Sequence, residues 1–104
     1  MRVSTYVLLA AEVPEKHFEG AELVKLSATY RDHIRELISA VRARAYVLPQ
    51  TSADRTAALA GIGEAEARLR LGNGETDRVR GAVAVRLARS VKCLCGHYER
   101  LAPR

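Results

Sequence analysis

The chain has 104 residues, so we expect one domain, which can bury roughly 60–68% of its unfolded surface without help from a metal or a disulfide. Hydrophobic residues make up 48% of the chain, which excludes disorder, and one Phe, four Tyr and no Trp disfavour a β-sandwich with an aromatic core. Seventeen basic and twelve acidic residues give a net charge of +5. Fourteen of the seventeen basic residues are Arg. The positive charge has two possible explanations: it keeps the protein soluble, with Arg abundant because of codon bias, or it serves to bind a polyanion such as nucleic acid.

The first element is an N-terminal segment, residues 1–14, that contains an apolar run and closes at Pro14. The run is too short for a transmembrane helix. It is a poor signal peptide, because only Arg2 precedes it and no clear cleavage site follows. We therefore expect a cytoplasmic protein without membrane contact, in which this segment packs on the helices or on a second copy.

A first long helix is predicted over residues 15–48, and Pro49 ends it. Its apolar residues repeat at the three-and-four and seven-residue spacings of a helix that packs in a bundle. They are Leu23, Val24, Tyr30, Ile34, Leu37, Ile38, Val41, Ala45 and Leu48.

A second helix is predicted over residues 52–71, with Thr51, Ser52 or Asp54 as its N-cap. Its inward face contains Ala58, Ile62, Ala65 and Leu69. Gly61 and Gly63 each cost roughly 1 kcal/mol relative to Ala inside a helix. We expect close approach of two helix backbones to offset this cost. The residues Gly72, Asn73 and Gly74 predict the turn that follows.

The third helix is predicted over residues 76–101, where the chain separates into an apolar and a basic face. The apolar stripe spans an arc of roughly 120° and contains Val79, Val83, Leu87, Ser90 or Val91, Leu94, Tyr98 and Leu101. A second arc contains Arg78, Arg86, Arg89, Lys92 and Arg100, and no carboxylate lies between Asp77 and Glu99. These five cations are the candidate site for binding a polyanion.

Short connections make consecutive helices antiparallel neighbours. The fold class that follows is all-α: an antiparallel three-helix bundle with a short N-terminal segment, as a single domain over residues 1–104.

Catalytic and metal motifs are weak. Cys93, Cys95 and His97 lack a second ligand pair and do not converge on a helix, so no metal site is expected. Cys93 shares the face of Arg86, Arg89 and Arg100 and is a candidate reactive thiol. Residues 61–63 lack the strand and the third glycine of a dinucleotide-binding loop, so no cofactor is expected. No nucleophile, base and oxyanion loop occur together, so we expect no enzymatic activity.

Two runs carry a resemblance to a known family: residues 60–69 (AGIGEAEARL) and residues 87–101 (LARSVKCLCGHYERL). They resemble small actinobacterial proteins of unknown function that are labelled natural-product biosynthesis proteins. The resemblance covers roughly residues 30–101, and Gly96 stands where the family pattern has an acidic residue. It implies a helical, cytoplasmic, actinobacterial protein and assigns no catalytic residue.

The function predicted from these patterns is that of a non-enzymatic accessory or protein-interaction module. The first helix is longer than its neighbours and leaves Phe18 and Leu23 without obvious cover. Either the N-terminal segment or a second subunit would supply it, and we favour a homodimer. The alternative is a nucleic-acid-binding regulatory protein that uses the basic arc of the third helix.

Overall fold

The computed structural model of the protein describes residues 20–101, and these residues form three packed helices. Helix α1 is Gly20–Val47, α2 is Ala53–Leu69 and α3 is Asp77–Arg100. Every helix contacts the other two, and this part of the chain contains no strand. The predicted all-α three-helix bundle is confirmed.

Arginine side chains that link the helices show the direction in which each helix runs. Near the start of α1, Arg31 donates through Nη2 to the carbonyl oxygen of Leu71, which follows α2, at 2.8 Å. Near the end of α1, Arg44 donates through Nη1 to the carbonyl oxygen of Tyr98, near the end of α3, at 2.7 Å. Helices α1 and α3 therefore run in the same direction and α2 runs against them.

The helix ends follow from local chemistry. The hydroxyl oxygens of Ser52 and Thr76 cap α2 and α3 and accept from the backbone N–H groups three residues later, both at 3.2 Å. Such caps contribute about 0.5–2 kcal/mol each. Gly74 has a φ of 89°, the left-handed conformation that glycine adopts without strain, and it turns the chain into α3. The helix bounds differ from the predicted ones by one or two residues, except that residues 15–19 lie outside the described part.

The core lies between the three helices and contains aliphatic side chains with one tyrosine. Helix α1 supplies the largest share, and α2 supplies mainly small residues because its inward face is rich in alanine. The buried members are Tyr30, Ile34, Leu37, Ile38, Val41 and Ala45 from α1, Ala58, Ile62 and Ala65 from α2, Val83, Leu87, Ala88, Val91, Leu94 and Cys95 from α3, and Leu101 directly after α3. The predicted inward positions of α1 and α2 agree with this set, with three exceptions: Val24, Leu48 and Leu69 are only partly buried. Leu23 is buried but lies outside this cluster.

The predicted apolar stripe of α3 needs two corrections. Val79 was expected to be buried, but its side chain is 47% exposed because it lies at the edge of the stripe, in the first turn of the helix. The stripe itself is wider than expected. Ala84 and Cys95 are also buried, and the buried positions span roughly 180°. Because α3 packs against both other helices, it buries two sides at once.

The expectation that Leu23 lacks cover is wrong, because only 7% of this residue is exposed within a single chain. Phe18, the N-terminal segment of residues 1–14 and the first predicted turns of α1 lie outside the described residues. Between residues 20 and 101, no helix is both long enough and apolar enough to cross a membrane.

Candidate functional site

We use the name basic face for five exposed cations along α3: Arg78, Arg86, Arg89, Lys92 and Arg100. Because successive residues turn by about 100°, the five side chains occupy an arc of roughly 120° opposite the core. From first to last they extend over roughly 33 Å of the helix axis. The helix thus presents a straight row of positive charge to solvent.

No carboxylate of the described chain neutralises the basic face. The ion pairs within residues 20–101 join Arg35 to Asp32, Arg42 to Glu66 and Arg80 to Asp77, and none includes a cation of the basic face. The first and last of these pairs lie within a single helix, and the second links α1 to α2. Among residues 20–101, no ion pair therefore neutralises the charge of the basic face.

Other arginines of the described chain bind within the protein. Arg31 also donates to Oδ1 of Asn73 at 2.6 Å, and Arg68 donates to the hydroxyl of buried Ser90 at 3.2 Å. Arg55 donates to the carbonyl oxygen of Leu48 at 2.9 Å, and Arg44 stacks over the ring of Tyr98 at 3.5 Å from its centroid. These side chains hold neighbouring elements together, so part of the high arginine content has a structural role.

Arg100 differs from the rest of the basic face, because its Nη2 lies 2.9 Å from Nδ1 of His97. A guanidinium can only donate, so Nδ1 accepts and the imidazole proton resides on Nε2. His97 is only 9% exposed. Burial and then the charge of Arg100 lower the pKa of His97 below its ordinary value of 6.5, while Glu64 acts in the opposite direction. His97 is therefore neutral near pH 7.

The imidazole of His97 packs directly on the backbone of α2 at Gly61. A β-carbon at Gly61 would lie 2.7 Å from Nε2 and 2.9 Å from Cδ2 of the ring. The close approach expected at this glycine therefore exists, but a side chain makes it and not a second backbone. At Gly63 the expectation is wrong, since nothing lies within 4 Å of an added β-carbon.

The two cysteines have different surroundings. Cys93 is exposed on the basic face, one turn after Arg89 and one turn before His97, so it is accessible to a thiol reagent. Its enhanced reactivity stays a prediction. Cys95 is fully buried, and burial followed by the charge of Glu99 raises its pKa from 9.0 to about 11. Within residues 20–101, no group of three or more His, Cys, Asp or Glu side chains is placed to hold a metal ion.

A shallow depression lies at the N-terminal end of the basic face. We call it the Val79 depression; its volume is about 210 Å³. Its lining combines two arginines with small apolar residues: Arg78, Val79, Ala82, Val83 and Arg86. Periodicity alone missed this feature because it assigned Val79 to the core.

Comparison with known proteins supplies a family but no activity. No curated protein and no solved structure matches the chain. A family described as a family of unknown function (DUF6415) matches residues 1–103, which include the N-terminal third that the sequence resemblance left out. The chain therefore belongs to the DUF6415 family.

Proposed function

We propose that the protein is a non-enzymatic interaction module that binds an acidic partner protein through the basic face of α3. The observation that supports this proposal is the contrast between two groups of cations. Arg31, Arg44 and Arg68 donate to acceptors in another part of the fold. Four cations of the basic face make neither an ion pair nor a hydrogen bond with residues 20–101: Arg78, Arg86, Arg89 and Lys92.

Repulsion between neighbouring cations on the basic face lowers the stability of α3, and an external anion would relieve this repulsion. Arg86, Arg89 and Lys92 follow one another at three-residue intervals, so neighbouring side chains repel. Like charges at this spacing destabilise a helix by about 0.2–0.5 kcal/mol per pair. The described carboxylates relieve none of this repulsion, whereas a row of carboxylates on a partner would.

The composition of α3 favours a protein partner over a nucleic acid. Of the side chains that read DNA base edges, α3 contains Arg but no Asn or Gln, so it lacks the amides that recognise adenine. Exposed Val79 and Ala82 lie among the cations, and apolar contacts of this kind suit a protein surface better than a phosphate backbone. Non-specific nucleic-acid binding is the second candidate, because the four cations without a partner among residues 20–101 extend over roughly 21 Å and also suit phosphates.

Fluorescence anisotropy with two labelled probes, poly-glutamate and a 20-base-pair DNA duplex, tests this proposal between 50 and 500 mM NaCl. We expect poly-glutamate to bind, and the Arg86→Glu/Arg89→Glu variant to bind at least 10-fold more weakly. The control variant, Lys25→Glu/Arg35→Glu, makes the same charge change on the exposed surface of α1. This control should bind poly-glutamate within about twofold of the wild-type affinity, because salt screens charges that do not contact the probe.

Other results would redirect or reject the proposal. Salt-sensitive binding of the duplex without binding of poly-glutamate would assign the basic face to nucleic acid. Failure of both probes at 50 mM NaCl would reject the basic face as a binding surface. Equal losses of affinity in the two double variants would show that the basic face is not the specific binding site.

We also propose a homodimer, whose interface lies away from the basic face because two copies of that face would repel each other. The support that Leu23 offered is gone, since this residue is buried within one chain. Exposed apolar side chains at the end of α1, Tyr46 and Val47, offer an alternative contact. Light scattering at micromolar concentration should give the mass of two chains, and the mass of one chain would contradict the dimer.

The resemblance carried by residues 60–69 and 87–101 supports a proposal about cellular context. We propose that the protein acts in the cytoplasm of an actinobacterium, as an accessory to natural-product biosynthesis. Pull-down from the native host tests this, with the Arg86→Glu/Arg89→Glu variant as control bait. Enrichment of a biosynthetic protein by the wild type alone is the expected result, and equal recovery on both baits would contradict it.

A further inference from the structure

We propose that the Val79 depression receives one apolar side chain of an acidic, amphipathic helix of the partner, while Arg78 and Arg86 bind carboxylates on either side of it. This inference rests on the proposed function and adds the chemistry of the partner. It comes from three observations: the size of the depression, the fixed position of Val79 and the spacing of the two arginines.

The size of the depression suits a side chain and not a cofactor. Small-molecule pockets usually measure about 300–1,000 Å³ and enclose most of the ligand. The Val79 depression measures about 210 Å³ and opens at the surface of α3. Three of its five lining residues are small and apolar: Val79, Ala82 and Val83. A single leucine-sized group is therefore the appropriate occupant.

Val79 is held in its half-exposed position by the turn that precedes α3. A β-carbon on Gly74 would lie 2.5 Å from Cγ1 of Val79, so only glycine lets the turn approach this closely. The N–H of Val79 donates to the cap hydroxyl of Thr76 at 3.2 Å. An apolar side chain that is 47% exposed on a cationic surface is thus preorganised for contact.

The arginines on either side match a helical partner in both charge and spacing. Arg78 and Arg86 are eight residues apart, which separates them by about 12 Å along the axis. A partner helix with leucine at one position and glutamate four residues before and after it places two carboxylates at the same separation. Neither arginine forms an ion pair with a carboxylate of residues 20–101, so no described carboxylate competes with the partner for them.

Two labelled peptides of identical composition test the inference by anisotropy. The first carries leucine along one helical face with flanking glutamates at four-residue intervals, and the second is a shuffled isomer without an apolar face. We expect the wild type to bind the amphipathic peptide at least fivefold more tightly than the shuffled one. Val79→Ser should abolish this preference, whereas Val47→Ser, which alters a valine that is 84% exposed on α1, should preserve it.

Methyl chemical shifts of the wild type provide a second measurement that does not depend on a variant. The amphipathic peptide should perturb Val79 and Val83, and the shuffled isomer should not. Equal affinity for the two peptides, or a preference that survives Val79→Ser, would overturn the inference. The proposed function would remain intact in that case, provided that both peptides bind and that salt weakens their binding. Failure of both peptides, with a duplex binding the wild type and Val79→Ser alike, would overturn the inference and the acidic-protein proposal together.

Discussion

Gly61 and Gly63 lie in the same helix, and their surroundings predict opposite effects of the same substitution. Gly61→Ala places a methyl group 2.7 Å from Nε2 of the buried His97 ring. We expect it to destabilise the fold by about 1–3 kcal/mol, the usual cost of overpacking. Gly63→Ala meets nothing and should stabilise by about 0.5–1 kcal/mol, because alanine is the better helix former. Urea unfolding measures both, and a Gly61→Ala protein as stable as Gly63→Ala would contradict the packing of His97 on α2.

His97 makes stability depend on pH in a predictable direction. Its pKa is lowered from 6.5 in the folded state, by burial and by Arg100, so the unfolded chain binds more protons between these two values. The stabilising contribution is complete above pH 6.5 and is lost as pH falls through the folded pKa. We expect the free energy of unfolding to decrease between pH 7 and the folded pKa of His97.

The variant His97→Gln isolates this effect. It should show a smaller decrease over the same pH range, whereas His33→Gln, which alters a histidine of α1, should retain the decrease. Identical pH profiles for the wild type and His97→Gln would show that another group is responsible.

The two cysteines should differ in reactivity by their position alone. Exposed Cys93 should react with a disulfide reagent in the folded protein, and buried Cys95 should react only after unfolding. Modification of Cys93 near pH 7 that is no faster than that of glutathione would dismiss it as a reactive thiol.

Buried Cys95 should also make stability depend on pH. Since its pKa is raised from 9.0 to about 11, the free energy of unfolding should decline as pH rises between these values. The Cys93→Ser variant has no other thiol among residues 20–101, so a decline that persists in it is assigned to Cys95.

At the scale of the helices, Arg44 fastens α1 to α3 more strongly than its charge alone suggests. It stacks on the ring of Tyr98 and donates to the carbonyl of the same residue. We expect Arg44→Ala to cost about 1–3 kcal/mol, because both a charged hydrogen bond and a cation–π contact are lost. Arg42→Ala is the matched control: its pair with Glu66 spans 3.7 Å between side chains that are 41% and 47% exposed, so the cost should be about 0.5 kcal/mol or less. Equal losses on thermal unfolding would contradict the assigned role of Arg44.

Sequence periodicity predicted the type and order of the helices, and it predicted the buried face of α1 well. A run of apolar residues at helical spacing requires no knowledge of the neighbouring helix. It predicted the buried width of α3 poorly, since Ala84 and Cys95 are buried only because a second helix covers them. Periodicity also could not predict the position of His97, because its ring packs on Gly61 of α2, which is distant in sequence.

At the scale of the whole molecule, two groups of cations stand out: arginines that link parts of the fold, and the basic face. The absence of carboxylates between Asp77 and Glu99 identified the basic face from the sequence. Two of its properties could not be predicted in this way: the contact of Arg100 with His97 and the exposure of Val79. The exposure of Val79 depends on the turn before α3, and the position of His97 depends on its packing against Gly61 of α2.

This division predicts that binding and stability respond in opposite directions to a change on the basic face. Arg86→Glu replaces a repulsion with Arg89 by an attraction between side chains three residues apart, so it should stabilise by about 0.2–0.5 kcal/mol at low salt. It should also weaken binding to poly-glutamate. Urea unfolding and anisotropy at 50 mM NaCl measure the two effects, and a variant that loses both stability and binding would contradict a purely external role for Arg86.

The arginines that link the helices should tolerate replacement by lysine less well than those of the basic face, because they use the planar shape of the guanidinium. Arg44 uses its flat guanidinium to stack and to donate at once, and Arg31 reaches Asn73 through Nη1 and Leu71 through Nη2, whereas lysine has a single nitrogen and no flat face. The role proposed for the basic face needs only positive charge, except at Arg100, which also donates to His97, and Lys92 already stands there among arginines. We therefore expect lysine to replace Arg78, Arg86 or Arg89 without loss, and to destabilise the bundle when it replaces Arg31 or Arg44.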